Sequence, residues 1–398
     1  MTERSGPLRG IRVLDFSIAL TGPYAAALIA DQGADVVKIE RPGIGDLGRW
    51  IGVSVNGMSA LYFTCNRGKR SIALDLQQPE GVEIALQLAA QADVIVQNYR
   101  PGVMDRIGLG YDSVRAVNPD VIYASLSGFG AEGPYRHRSA YDTAIQAYGG
   151  FAANQGDPET GLPMFLRQTA ADKVTALYAS QAITAALFAR ANGDGGQHLE
   201  LSMADAVVSF LWADSAGNEV LLDADGSLNS SFVAGFQPMR FEDGWGIVVP
   251  TSDADFQGMC QALDVEGWDD PRVATMNQRR EHREVMEPIM DMVYAHAANL
   301  TQAEATERFE AQRVPFSMIL SPDQLTRDEH AVAIGMFVED DHHIVGRTRM
   351  PRHPTQFRGT PAELTNHSPG LGEHTDEILA ELGHTDDITR LRESGVVA

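Results

Sequence analysis

The first half of the chain alternates short apolar runs with longer amphipathic stretches. Ile11 to Phe16 (IRVLDF) reads as a buried strand. Gly22-Pro23 opens a small-residue helix, AAALIADQG, with Gly33 as its stop. Ala34 to Glu40 (ADVVKIE) predicts a second strand and Arg70 to Leu76 (RSIALDL) a third. Pro79 sits near the start of the helix EGVEIALQLAAQ, which leads into a strand at Asp93 to Tyr99 (DVIVQNY). A further helical stretch precedes the strand at Val121 to Ser127 (VIYASLS). A long helix is expected from about Ala171 to Asn192, then a strand at Gln197 to Met203. Strands alternating with helices predict an α/β fold, with a parallel sheet covered on both faces. Ligands of such sheets sit beyond the carboxyl ends of the strands. That rule directs attention to Leu20 and Thr21, Arg41, Asn98 and Tyr99, and the loop after Ser127.

The pattern changes in the second half. Asp223 to Ser231 (DADGSLNSS) is polar and turn-rich and reads as a domain boundary. Beyond it, GWGIVVP and a helical DADFQGMCQALDV predict a second, smaller α+β domain that ends near Asp328. The tail carries one more helix, HTDEILAELG. A length of 398 residues also favours two cores over one.

Composition narrows the function classes. No apolar run reaches the roughly 20 residues a membrane span needs, and Met1 to Gly10 is polar, without the apolar stretch of a signal peptide. Cys65 and Cys260 are the only cysteines, so a disulfide framework is not expected and a cytoplasmic setting is. The net charge of −23 argues against nucleic acid as a partner. It leaves room for a polyanionic small ligand, since a few arginines can build a local positive pocket.

Five candidate features follow. Gly128-Phe129-Gly130-Ala131-Glu132-Gly133 matches G-x-G-x-x-G, but Pro134 to Arg138 opens no apolar-periodic helix, so a turn-forming loop is expected rather than a dinucleotide site. Asp340-Asp341-His342-His343 holds metal donors that are adjacent rather than spaced for one helix face, and reads as a solvated loop; no metal site is predicted. Ser125 and Ser127 lie in no G-x-S-x-G elbow. Asp172, at the start of a long apolar helix, admits two readings: an N-cap, or a carboxylate kept ionised by the helix N-terminus and able to accept an acyl group. Arginines gather near strand ends (Arg41, Arg70, Arg100, Arg106, Arg136, Arg138), a pattern that can serve phosphates.

The segments GIRVLDFSIALTGPYAAALIADQGADVVKIERPGIGD, NRGKRSIALDL, DVIVQNYRPGVMDRIGLGYD, NPDVIYASLSGFGAEGPY and YDTAIQAYGG, in that order, resemble the family III coenzyme A transferases of the CaiB/BaiF, formyl-CoA transferase type. The Asp172 segment, WDDPRVATMNQRREHREVM and LGEHTDEILAELG continue the likeness almost to the C-terminus. The resemblance implies a large Rossmann-like, CoA-binding domain from residues 1–222 and 329–398. A small domain with linkers over 223–328 would be inserted into it, and two chains would interlock as ring-like homodimers. It implies Asp172 as the catalytic residue. It implies CoA contacts at Leu20, Thr21, Arg41, Leu74 to Gln77, Asn98, Tyr99, Arg100, Arg106 and Arg138 to Tyr141. Coenzyme A enters as substrate, together with a free carboxylic acid; no tightly bound cofactor, nucleic acid or membrane partner is expected.

This chain departs from the oxalate-type members at three positions. Leu20 replaces a glutamine, Gln77 a lysine and Ser139 a lysine, which argues against formyl-CoA and oxalate as its substrates. An α-methylacyl-CoA racemase of the same fold is the alternative, but its proton-moving histidine falls at Tyr141, whose phenol is a poor proton shuttle near neutral pH. A CoA-binding partner subunit without turnover is the other.

Overall fold

The computed structural model describes residues 5–157, 159–223, 236–362 and 367–398. The chain divides into two units, Met1–Ala216 with Gly335–Ala398, and Gly217–Ile334. The proposed boundary segment at 223–231 falls, but for Asp223, outside the described residues.

The larger unit is built on six parallel strands: β1 (Arg12–Asp15), β2 (Asp35–Glu40), β3 (Lys69–Ala73), β4 (Val94–Gln97), β5 (Ile122–Ser127) and β6 (Gln197–Ser202). They lie in the order β3-β2-β1-β4-β5-β6. This is the doubly wound arrangement, in which the winding reverses between β1 and β4. The strands are buried on both sides because their alternate residues enter different cores. Leu14, Ile95 and Tyr123 pack with Ile84 and Ala85 of α2 (Pro79–Ala90), Val114 of α3 (Tyr111–Val117) and Leu379 near the C-terminus. Val13, Val94, Val96 and Ala124 pack with α1 (Thr21–Ala30) and with α5 (Ala170–Ala189), which follows α4 (Asp142–Tyr148). The alanine-rich faces of α1 and α5 let these helices lie close to the sheet and to one another. The sixth strand leads into α6 (Met203–Trp212).

The smaller unit has an antiparallel sheet of β7 (Met239–Arg240), β8 (Trp245–Val248) and β9 (Phe316–Met318), with β8 central. Helices α7 (Asp253–Ala262), α8 (Arg283–Ala297) and α9 (Gln302–Ala311) enclose its core around Phe241, Phe256 and Phe309. Capping boxes at Ser252/Asp255 and Thr301/Glu304 start α7 and α9.

The tail returns to the larger unit. Its hairpin, β10 (Phe337–His342) and β11 (Gly346–Pro351), corrects the solvated loop expected at Asp340–His343. His342 is 2% exposed there; its Nε2 donates to the Ser368 carbonyl (2.9 Å) and its Nδ1 accepts from the Ile344 amide (3.2 Å). Both ring nitrogens are thus spent on backbone, and burial lowers its pKa. Adjacent polar residues hid a strand because β10 is exposed along most of its length. Helices α10 (Thr375–Glu381) and α11 (Ile388–Glu393) close the unit, and Val397 bridges Leu74.

Candidate active site

Because the winding reverses between β1 and β4, the loops leaving these strands part and leave a crevice at their carboxyl ends. A cavity of about 530 Å³ lies there. Its walls come from Ile18–Thr21 after β1, Asn98–Arg106 after β4, the segments after β5 up to Asp142, and the first turn of α5, which contributes Asp172.

Asp172 is the third residue of α5, and Thr169 occupies the N-cap position. The capping reading of Asp172 is therefore corrected. Another carboxylate satisfies this helix end: Asp142 Oδ1 accepts the Asp172 backbone N–H (3.0 Å), and Asp142 Oδ2 accepts from Gln146 Nε2 (2.6 Å). The Thr21 hydroxyl donates to Asp172 Oδ1. Burial pushes the Asp172 carboxyl up, the Thr21 hydrogen bond holds it down, and the nearby Asp142 charge pushes it up again, to about 6. At pH 7 such a group is still mostly ionised, though less firmly so than the helix N-terminus alone suggests.

Leu20, Thr21, Asn98, Tyr99, Arg100, Arg106, Arg138 and Tyr141 line the same cavity as Asp172. Leu20 and Thr21 are 7% and 4% exposed, whereas Tyr141 is 74% exposed. Arg100 donates to the Ser139 hydroxyl (2.6 Å), and the Arg138 guanidinium lies 3.4 Å over the Tyr135 ring. Arg136 lines the cavity too.

Of the expected contacts, Arg41 and the run Leu74 to Gln77 are not among the lining residues. Arg41 is exposed just past β2, and Gln77 is exposed just before α2, both on the same carboxyl edge of the sheet. Leu74 is 1% exposed within the core and its N–H donates to the Glu40 carbonyl (2.8 Å), so it is withdrawn from the surface. Arg70 is also removed from the arginine cluster: it lies within β3 and pairs with Asp35 (2.8 Å), Glu377 (2.9 Å) and Glu381 (2.8 Å). Asn98 makes two bonds to the backbone of Ile18, one from each end of its amide (2.8 Å each).

Gly128 to Gly133 forms a loop with positive φ at Gly130 and Gly133, and the next helix starts only at Asp142. A neighbouring hollow of about 580 Å³ shares Tyr99 and Arg100 but brings in Asp105, Glu132, Glu200 and Asp205, a lining poorly suited to phosphate. Among the described residues, no group of three or more His, Cys, Asp or Glu is placed to hold a metal.

The sequence comparisons place these features in a family. The family described as CoA-transferase family III matches residues 8–375. The succinate–glutarate CoA-transferase of Agrobacterium fabrum is 33% identical over 96% of this chain and 97% of its own length. The formyl-CoA:oxalate CoA-transferase of Rhodopseudomonas palustris is likewise 33% identical, over 98% of this chain and 97% of its own. The crystal structure of a CaiB/BaiF family protein from Brucella suis superposes with a TM-score of 0.82 at 32% identity, covering 95% of this chain and all of that one. The chain belongs to CoA-transferase family III, and is an enzyme of the CoA-transferase class.

Proposed function

We propose that this protein moves coenzyme A from an acyl-CoA to a free carboxylic acid, with Asp172 as the covalent acceptor. The observation that carries the reading is the Asp172 carboxylate, set in the first turn of α5 beside the crevice and in contact with the Thr21 hydroxyl. Asp172 attacks the thioester carbonyl, and the C–S bond breaks to give an aspartyl–acyl anhydride and CoA thiolate. The thiolate then attacks the aspartyl carbonyl, releasing the donor acid and leaving an aspartyl-CoA thioester. The acceptor carboxylate displaces the thiolate to form a second anhydride. The thiolate attacks the acceptor's acyl carbon, which forms the new acyl-CoA and frees Asp172. No proton is gained or lost over the cycle, and each intermediate keeps its activation so long as water is excluded.

The CoA moiety would run along the carboxyl edge of the sheet, with Arg100, Arg106 and Arg138 near the crevice and Arg41 and Gln77 further out. Binding energy from this remote handle can be used to position the reacting carbonyl. Succinate, glutarate and oxalate, named for the relatives, are the first acids to test. Exposed Leu177 and Phe188 of α5, with Phe210 and Trp212 of α6, support burial of this face in a homodimer.

The test combines acyl-CoAs and free acids with mass-spectrometric detection of new thioesters. Purified, folded Asp172→Ala should lose transfer by about a thousandfold or more. Near-normal transfer by that variant would sink the nucleophile. Deuterium uptake at the α-carbon of a 2-methylacyl-CoA without transfer would favour the racemase instead.

A further inference from the structure

The turn between β1 and α1, residues 17–20, carries Leu20 and Thr21 into the crevice. Its backbone is held by side chains from four separate places. The Ser17 N–H donates to Asp15 Oδ1 (2.9 Å), and the Ser17 carbonyl accepts from Lys38 Nζ (2.7 Å). The Asn98 amide bonds both the N–H and the carbonyl of Ile18. The Ala19 N–H donates to Asp46 Oδ1 (2.7 Å), which also accepts from the Gly48 N–H (2.7 Å).

Ala19 has φ of +67°, a left-handed conformation that a residue with a Cβ adopts only when its surroundings enforce it. Lys38 and Asp46 each bond this turn directly, at Ser17 and at Ala19. Their ion pair, 2.8 Å long, is wholly buried, with both side chains at 0% exposure. Lys38 also lies 3.7 Å from buried Asp15, which pairs in turn with Lys69 (2.8 Å). Lys69 reaches the Pro23 carbonyl in the first turn of α1 and the Asn66 side chain (2.8 Å each). A buried ion pair contributes little net stability compared with apolar side chains of equal volume. Fixing one backbone geometry is the use this geometry supports, because each member of the pair spends a bond on the turn itself.

We infer that Lys38 and Asp46 are positioning residues: their buried pair clamps the left-handed turn at Ala19 and so aims the Thr21 hydroxyl at Asp172. The inference rests on Asp172 being the nucleophile. Releasing the clamp swings Thr21 away and removes the hydrogen bond that favours the ionised carboxylate. Transfer then slows, and its acid limb moves to higher pH, whereas a purely structural role would leave that limb in place.

The experiment measures kcat and kcat/KM against pH for the wild type, Asp46→Ala, and Asp46→Ala combined with Ala19→Gly. Folding is checked by circular dichroism and Asp172→Ala is run alongside. Asp46→Ala should lower kcat by about tenfold or more and raise the acid limb by roughly half a pH unit or more, the equivalent of losing one modest hydrogen bond to a charge. Adding Ala19→Gly should recover part of both changes, because glycine keeps a positive φ without help. If Asp46→Ala does not fold, Asp46→Asn, which keeps an acceptor oxygen but not the charge, should shift the limb in the same direction by less. An unmoved acid limb in a folded Asp46 variant, with Asp172→Ala inactive, overturns the clamp and leaves the nucleophile standing. Transfer that survives in Asp172→Ala overturns the nucleophile and the clamp's purpose with it.

Discussion

Asp172 illustrates how one side chain can be pulled in two directions. Burial and the Asp142 charge favour its neutral form, while Thr21 favours the carboxylate, and the outcome is a pKa of about 6. With Asp172 as the proposed nucleophile, only its ionised form can attack a thioester, so on that proposal transfer should fall about tenfold per pH unit below that value and level off above it. Thr21→Val keeps the shape but removes the hydroxyl. It should lower kcat and push the acid limb of kcat/KM above pH 6, which a pH–rate profile reads directly. An unchanged limb would mean that the Thr21 contact does not form in solution. Asp142 carried no mark of this role beyond its place after Tyr141 in YDTAIQAYGG. Its partner, the Asp172 N–H, lies 30 residues away, a contact that only folding creates.

At the scale of elements, the crevice depends on how closely α1 follows β1. Gly22, in the first turn of α1, lies so near the preceding turn that a Cβ would come within 2.3 Å of the Ser17 Cβ and 2.5 Å of its Oγ. Gly22→Ala should therefore displace the turn that carries Leu20 and Thr21. Overpacking of this kind typically costs about 1–3 kcal/mol, and transfer should fall by more than that loss of folded protein explains. Thermal denaturation beside kcat on the folded fraction checks both; full activity at unchanged stability would refute the close approach. The helices and strands themselves were largely legible from pattern. The β10–β11 hairpin was not, because an exposed two-stranded ribbon has no buried face to impose an alternation.

Over the whole molecule, buried charge under α1 gives the larger unit a specific weakness to acid. Burial alone would push Asp15 up, but Lys38 and Lys69 outweigh it and bring its pKa down to about 2. Lys69, where burial outweighs Asp15, falls to about 8. A carboxyl with a depressed folded pKa stabilises the protein above its unfolded value, near 4, and loses that contribution as pH falls toward 2. A shift from 3.8 to about 2 corresponds to about 2 kcal/mol. Urea unfolding at pH 6, 4 and 3 should thus show a steep loss between the last two, and Asp15→Asn should flatten that slope whatever its effect at pH 6. An equal slope in the variant would show that other carboxylates carry the acid sensitivity. Glu40, where burial opposes its bonds to Arg49 and Ser71, is also shifted down and adds in the same direction.

The sequence by itself determined the parallel sheet, its two-sided burial and the family, because apolar periodicity and ordered motifs are local properties of the chain. The family resemblance singled out Asp172, and the rule that such folds bind beyond the strand ends pointed to Leu20, Thr21, Asn98 and Tyr99, which line the crevice with it. Lys38 lay in plain view as a cation inside the apolar strand ADVVKIE, yet pattern could not say what it pairs with. Tertiary structure decided that Arg70 serves Asp35, Glu377 and Glu381 rather than a ligand, that Leu74 belongs to the core, that Asp142 accepts the Asp172 amide, and that Lys38 and Asp46 pair with each other and bond the turn before α1. Each of these turns on partners distant in sequence, whose meeting depends on the winding of the sheet and on the charges that burial forces to pair.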